Sequence, residues 1–384
     1  GGIVILGNTA ALNPSGDHNQ APRNLFACAQ AKATIGDFNE SPVGYSLDYT
    51  QEPLVGTIAS TDDFHFAGVN VVVAIADASM AGAPGHNQED CVVFNRYSLD
   101  RGLFRKTFIK KVTVLCSKTK GEIETFGRPE NNTTIVRNVR AGSRLHIGSD
   151  GLPEIGAKIS AGDILIEKHM ITIDLDEDGK MQEITTDRSI VAKPDQVGTV
   201  HKVVVTTKNN SKNEPLVHIF IRRVHRVSVG DKFTSRHGQK GTVGIIMEQE
   251  DMLFSMNPEI PSPDLLVSPL AFPSRMTIGQ LTESHIAVLS SLLGIFADAT
   301  SFKKTYGIQD VERELNNKGF YNYGKQTFLN GQTGEMVQAK IFSGPTFYQA
   351  LNHLSANKIY SREKRQPVNA ITRQPPEGRS KGGG

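Results

Sequence analysis

Lys232, Arg236 and Lys240 recur every four residues in "GDKFTSRHGQKGTVG", Gly230 to Gly244. Four glycines in the same stretch argue against a regular helix, because each adds backbone freedom that a helix must remove. The stretch therefore predicts a glycine-punctuated loop. In such a loop backbone N–H groups and ammonium groups can approach a phosphodiester closely, with lysine as a flexible point charge. A surface turn with incidental cations is the competing reading. The spacing GxxxxGK[ST] is absent, so this is not a nucleotide P-loop.

Adjacent carboxylates Glu89 and Asp90 follow a Gly-Ala-Pro-Gly loop in "AGAPGHNQEDCVVFNRYSLDRGLFR" and precede the apolar run Val92 to Phe94. Acids so placed can hold Mg²⁺ directly or through waters, since that ion keeps much of its hydration. They can equally lie in an exposed loop or pair with Arg101. Arg23 in "DHNQAPRN" and Arg275 in "PSPDLLVSPLAFPSRMT" each stand beside a proline-fixed turn. A guanidinium on stiff backbone can clamp a triphosphate bidentately, or serve the fold. From Lys358 onward the cations Arg362, Lys364, Arg365, Arg373, Arg379 and Lys381 join Lys358 against Glu363 and Glu377 alone. A solvated tail is one reading; the interleaved Gln374, Pro375 and Gly378 also suit a loop that tracks phosphates. The acidic run "DLDEDG" sets Asp174, Asp176 and Asp178 alternately, but Glu177 stands where a metal loop needs glycine. Thr185 occupies the place of the closing Glu of an EF-hand, so an acidic hairpin turn is expected.

These segments need elements to hold them. The chain has 384 residues, 38% of them hydrophobic, enough for two or three domains. Lys plus Arg number 42 against 40 acids, so the net charge of +2 says little and the distribution of charge carries the argument. Cys28, Cys91 and Cys116 stand far apart without a CxxC pair, which argues against disulfides and zinc and predicts a reduced intracellular setting. No apolar run approaches a bilayer span, and no signal peptide opens the chain. The abrupt ends suggest a piece of a longer protein.

Residues 1–105 read as strands joined by long loops, with little helix. From 106 to 226 the pattern turns alternating and β-branched, as in "KKVTVL", "GTVHKVVVTT" and "PLVHIFIRRV", which predicts an inserted β domain. The remainder, 227–384, holds the glycine-rich stretch and the best helix. "TIGQLTESHIAVLSSLLG" sets Ile278, Leu281, His285, Leu289 and Leu292 near one face, with Thr277 as N-cap and Gly294 as stop. Further helices are expected near 310–317 and 348–359.

The strings "DHNQAPRN", "GHNQEDCVVFN", "SLDRGLFR", "GDKFTSRHGQKGTVGI", "PSRMTIGQL", "GPTFYQAL" and "TRQPPEGRSKGG" together resemble the second-largest (beta-type) subunit of multisubunit DNA-directed RNA polymerases. They stand in that family's order across nearly the whole chain. "NQED" is similar to the archaeal, eukaryotic and large-DNA-virus branch, and particularly to RNA polymerase II.

The resemblance implies a mixed α/β, mostly β fold. It implies a double-psi β-barrel within a hybrid-binding region, 1–105 and 227–384, and a wall (flap) domain inserted over 106–226. Lys232 and Lys240 would contact RNA phosphates near the growing 3′ end and assist catalysis. Arg236, His237, Gln239, Arg373 and Arg379 would bind nucleic acid, and Arg23 and Arg275 the incoming nucleoside triphosphate. Glu89 and Asp90 would lie by a second Mg²⁺, with the principal Mg²⁺ site on the largest subunit and no zinc in this chain. The implied partners are the largest and smaller subunits, DNA template, RNA–DNA hybrid and nucleoside triphosphates, without a membrane. Its place would be the nucleus of a eukaryotic cell, or the cytoplasm or virion of a large DNA virus. The reaction implied is two-metal nucleotidyl transfer at a shared active site. Two other functions compete: a noncatalytic nucleic-acid-binding scaffold, and a self-sufficient polymerase, which the missing Asp triad disfavours.

Overall fold

The computed structural model describes residues 5–36, 43–60, 67–119, 122–127, 135–175, 181–207, 214–303, 306–362, 364, 366–378 and 383. The chain divides into two compact units. The first comprises Gly1–Phe38, Tyr45–Lys106 and His225–Ser361; the second comprises Asn39–Gly44, Thr107–Val224 and Arg362–Gly384.

The first unit contains helix α1 (Ala21–Ala31), strands β1 (Val69–Ile75), β2 (Cys91–Asn95), β3 (Lys232–Ser235), β4 (Lys240–Met247) and β5 (Leu265–Val267), helices α2 (Ile278–Leu293) and α3 (Ile308–Asn317), and strands β6 (Lys325–Leu329) and β7 (Met336–Ala350). Pairing runs β3–β4–β2–β5–β1–β7, and β7 pairs back to β3, so six strands close into a ring. Both hands of pairing occur: β4 runs parallel to β2 and β5 parallel to β1, while the remaining neighbours are antiparallel.

The near-continuous apolar run of β1 reflects burial on both faces. Val69, Val71 and Val73 join a core with Phe94, Phe104, Phe233 and Tyr348. Phe233 lies 4.9 Å from Phe94 and 4.7 Å from Phe104, ring centre to ring centre, tilted as aromatic pairs prefer. Ala74 points the other way, into a second core with Ile286 to Leu289 of α2 and with Val311 and Leu315 of α3.

Three expectations change here. The first 105 residues carry more helix than expected: Arg23 sits on α1, which has Pro22 in its first turn and continues through good helix formers. The glycine-rich stretch is a β-hairpin of β3 and β4 rather than an open loop. No helix covers 348–359. Tyr348 to Ala350 complete β7 and pair with β3, and only a short 3₁₀ turn, Ser355–Asn357, follows. Pairing on both sides of β7 overrides local helix propensity.

Helix α2 begins and ends where expected, with Gly294 left-handed at φ 68°. Its buried face differs. Ile278 is 42% and Leu292 36% exposed, whereas Gln280, Glu283, Ser284 and Ser290 are buried. The helix turns a polar stripe inward because the ring offers polar partners: Ser284 and Thr346 hydroxyls lie 2.6 Å apart, and Ser235 Oγ donates to Gln280 Oε1 at 3.1 Å. Thr277 holds the N-cap position without a side-chain cap, and its hydroxyl finds no partner among the described residues. Asn19 caps instead: its Oδ1 accepts the Gly279 N–H at 2.8 Å.

In the second unit the strands Lys106–Leu115, Pro215–His225, Gly198–Thr207 and Lys158–Ile159 lie side by side in that order. Val112, Val114, Leu165, Ile166, Val217, Ile219 and Ile221 form the core beneath them. A second sheet includes Lys168–Leu175 antiparallel to Met181–Asp187, with Leu175 opposite Met181. The "DLDEDG" run therefore joins two paired strands; Asp176, Glu177 and Asp178 lie outside the described residues. The three cysteines are free. Among the described residues no helix is long and apolar enough to cross a membrane.

Candidate phosphate-binding site

The hairpin of β3 and β4 turns through Arg236, His237, Gly238 and Gln239. Gly238 has φ 72°, and a Cβ there would lie 2.3 Å from the Arg23 carbonyl oxygen, so no larger residue fits between the turn and α1.

Three tip residues expected to meet nucleic acid are buried: Arg236 is 8%, His237 0% and Gln239 4% exposed. The side chains of Arg236 and His237 both face Glu283 of α2. Arg236 Nη2 donates to Glu283 Oε1 at 2.6 Å, His237 Nε2 lies 2.5 Å from Oε2, and the Phe347 N–H donates to Oε1 at 3.0 Å. Burial by itself would raise the Glu283 carboxyl. The Arg236 charge and the His237 hydrogen bond outweigh it and hold the group well below the usual carboxylate range. Arg236 also donates to the Val55 carbonyl at 2.8 Å and stacks over the Phe347 ring. Asn19 Nδ2 lies 3.0 Å from His237 Nδ1, so one asparagine ties the tip to the start of α2. In this fold Arg236 and His237 hold the turn.

The lysines stand clear of this network. Lys240 is exposed and Lys232 half-buried. Exposed His353, after β7, is brought to them. Burial and the charges of Lys358, Lys232 and Lys240 push its imidazole below the ordinary histidine range. His353 carried no signal in the sequence beyond its place after "GPTFYQAL"; pairing of β7 with β3 brings it near.

Glu89 and Asp90 are both left-handed, at φ 48° and 68°, immediately before β2. Asp90 and Lys240 line one small cleft with Gln239, Gly241 and Ser268. Asp90 is held bidentately by Arg275, not Arg101, whose guanidinium lies over Tyr97. The arginine expected on the triphosphate and an acid expected near metal thus form one ion pair. Glu89 is exposed and has no part in it. Among the described residues no group of three or more His, Cys, Asp or Glu could hold a metal ion. Arg23 is half-buried on α1, its guanidinium 5.3 Å from the Phe26 ring, and its Nε finds no partner among the described residues. Arg373 is exposed, with φ 55°, in the second unit; Arg379 lies outside the described residues.

The family description "RNA polymerase Rpb2, domain 6" matches residues 9–381. The chain is 39% identical over 394 residues to DNA-directed RNA polymerase II subunit 2 of Arabidopsis thaliana, covering 99% of this chain and 32% of the relative. It is 37% identical to RNA polymerase II subunit RPB2 of Schizosaccharomyces pombe, at 99% and 32% coverage. With DNA-directed RNA polymerase subunit 2 of Acanthamoeba polyphaga mimivirus it shares 36% identity, at 99% and 31% coverage. The chain spans about a third of the length of these curated relatives.

Proposed function

The chain belongs to the Rpb2 domain 6 family of RNA polymerase second subunits, and from that premise we propose that it forms the second-subunit side of a shared nucleotidyl-transfer site. The observation that carries this reading is the small cleft lined by exposed Lys240 and by Asp90, the acid that Arg275 holds, while the charges of Lys232 and Lys240 both act on His353. A free cation beside a paired acid and its arginine suits a phosphate-bearing substrate.

In this reading the six-stranded ring is a double-psi β-barrel within the hybrid-binding region, 1–105 and 227–384, and the β-rich segment 106–226 is the wall (flap). Lys232 and Lys240 offset charge on RNA phosphates and on the pentacovalent phosphorus. Arg236, His237 and Gln239 serve nucleic-acid binding indirectly, by fixing the turn that carries Lys240. Arg23 and Arg275 orient the incoming triphosphate, and Arg373 and Arg379 meet template or hybrid.

Two adjacent acids, one already paired, fit a hydrated Mg²⁺ shared with another chain better than a self-sufficient site. When bound, that ion offsets charge on the triphosphate and departing pyrophosphate. Asp90 and Glu89 would hold that ion through water, and Arg275 would bind the phosphates. The partners are the largest subunit, smaller subunits, DNA template, RNA–DNA hybrid and nucleoside triphosphates, in a eukaryotic nucleus or in the cytoplasm or virion of a large DNA virus.

The test is templated RNA extension by the complete polymerase carrying Lys240→Ala or Arg275→Ala in the full-length subunit. Slower extension is expected from each. Unchanged extension with intact, salt-dependent hybrid binding would overturn catalysis and favour a scaffold.

A further inference from the structure

Lys106 is 0% exposed, and its Nζ makes no hydrogen bond among the described residues. The nearest carboxylate is Asp231 Oδ2 at 3.6 Å, with the Phe233 ring 5.3 Å away. Asp231, 2% exposed, immediately precedes Lys232. It accepts four hydrogen bonds. Ser228 donates its N–H to Oδ2 at 3.2 Å and its hydroxyl to Oδ1 at 3.3 Å; Ser355 donates its N–H and hydroxyl to Oδ1 at 3.0 and 3.2 Å. One carboxylate thus ties the start of β3 to the segment after β7 that carries His353. The backbones meet closely at the same point, since a Cβ on Gly230 would lie 3.1 Å from Ser355 Cβ. The Leu351 N–H also donates to the Lys232 carbonyl at 3.0 Å.

A buried ion pair is a poor stabiliser, because desolvating two charges costs about as much as their attraction returns, and packed apolar side chains do as well. Its value here is geometric. A carboxylate accepts several donors at once from separate segments, which an apolar residue cannot do. We propose that Asp231, with Lys106 as its buried counter-charge, is the positioning residue that holds Lys232 and His353 in one geometry for RNA phosphates. This rests on the polymerase reading above. Neither Lys106 nor Asp231 touches substrate in it; both act through Lys232 and His353.

The experiment uses the complete polymerase with the full-length subunit and a preformed RNA–DNA scaffold, measuring scaffold affinity against salt concentration, KM for nucleoside triphosphate, and kcat. Each lost phosphate contact lowers the slope of log affinity against log salt by roughly 0.7 to 0.9. A purely structural role would reduce the assembled fraction and leave that slope unchanged. Asp231→Ala is expected to flatten the slope by about one contact or more, as Lys232→Ala does. Lys106→Met with Asp231→Asn removes both charges, keeps an oxygen toward Ser355, and should recover part of the slope. An Asp231→Ala enzyme that assembles and melts normally with unchanged slope and KM overturns the proposal. If that variant does not assemble, Ser355→Ala decides: a partly flattened slope supports the proposal and a wild-type slope overturns it. Lys232→Ala and Lys240→Ala run alongside; if both leave slope and extension unchanged, the phosphate-site reading itself fails.

Discussion

Arg275 grips Asp90 with two guanidinium nitrogens on two carboxylate oxygens, although the residues stand 185 positions apart. Each side chain is about one-quarter exposed, so the pair is only partly screened by water.

On the proposed triphosphate role of Arg275, Arg275→Ala loses a hydrogen bond to a charged group worth about 1.5–3 kcal/mol, so kcat/KM for nucleotide should fall roughly tenfold to a hundredfold. Arg275→Lys should rescue little, because an ammonium cannot reproduce the fork. Single-turnover nucleotide addition measures both. Asp90→Asn should raise the Mg²⁺ concentration needed for half-maximal extension, read by titrating Mg²⁺ at fixed nucleotide.

Lys240→Ala should weaken hybrid binding at low salt more than at high salt. Loss of one phosphate contact lowers the salt slope by roughly 0.7 to 0.9. Filter binding across a salt series checks this.

Glu283→Gln breaks a buried network with Arg236 and His237, and removing one member of a buried pair costs about 3–5 kcal/mol. The pH dependence follows from the sign of the shift. The folded-state pKa of Glu283 lies below its ordinary 4.5, so its contribution is fully present above that value and is lost as pH falls from 4.5 toward about 2. Melting temperature against pH should fall through that window for the wild type, with a shallower fall for Glu283→Gln.

Gly238→Ala places a Cβ against the Arg23 carbonyl at a left-handed position. A strained φ alone costs about 1–3 kcal/mol. The clash adds to it, so thermal unfolding should show at least that loss, with slower RNA extension because Lys240 shifts with the turn.

The chain taken alone should not extend RNA at any Mg²⁺ concentration, since the proposed site is shared and leaves the principal Mg²⁺ to the largest subunit. Primer extension with the purified chain tests this directly; any templated product would revive the single-chain reading.

Much of this was legible in residue types. Alternating β-branched runs announced the strands of 106–226, and Gly294 announced the end of α2. What could not be read was which polar groups turn inward. The periodicity of α2 pointed to Ile278 and Leu292, while the buried face proved to hold Gln280, Glu283 and Ser284. The helix's single acid was the available signal, but its partners lie 46 and 47 residues away at a hairpin tip. Arg236 and Lys240 looked alike in sequence and differ in the fold because strand pairing sends one under the turn and leaves the other outside. His353 was silent for a similar reason: its neighbours are set by β7 pairing with β3, a contact spanning more than a hundred residues.

The ring of six strands has no free edge at β3, which bonds to β4 on one side and β7 on the other. Amide protons at Phe233, Thr234 and Ser235 therefore have no partial opening that frees one without undoing the barrel seam, and they should rank among the slowest of the chain in deuterium uptake. A lysine mounted on such a seam keeps a fixed anchor while its own four-carbon arm supplies all the reach, so substrates must be delivered to it.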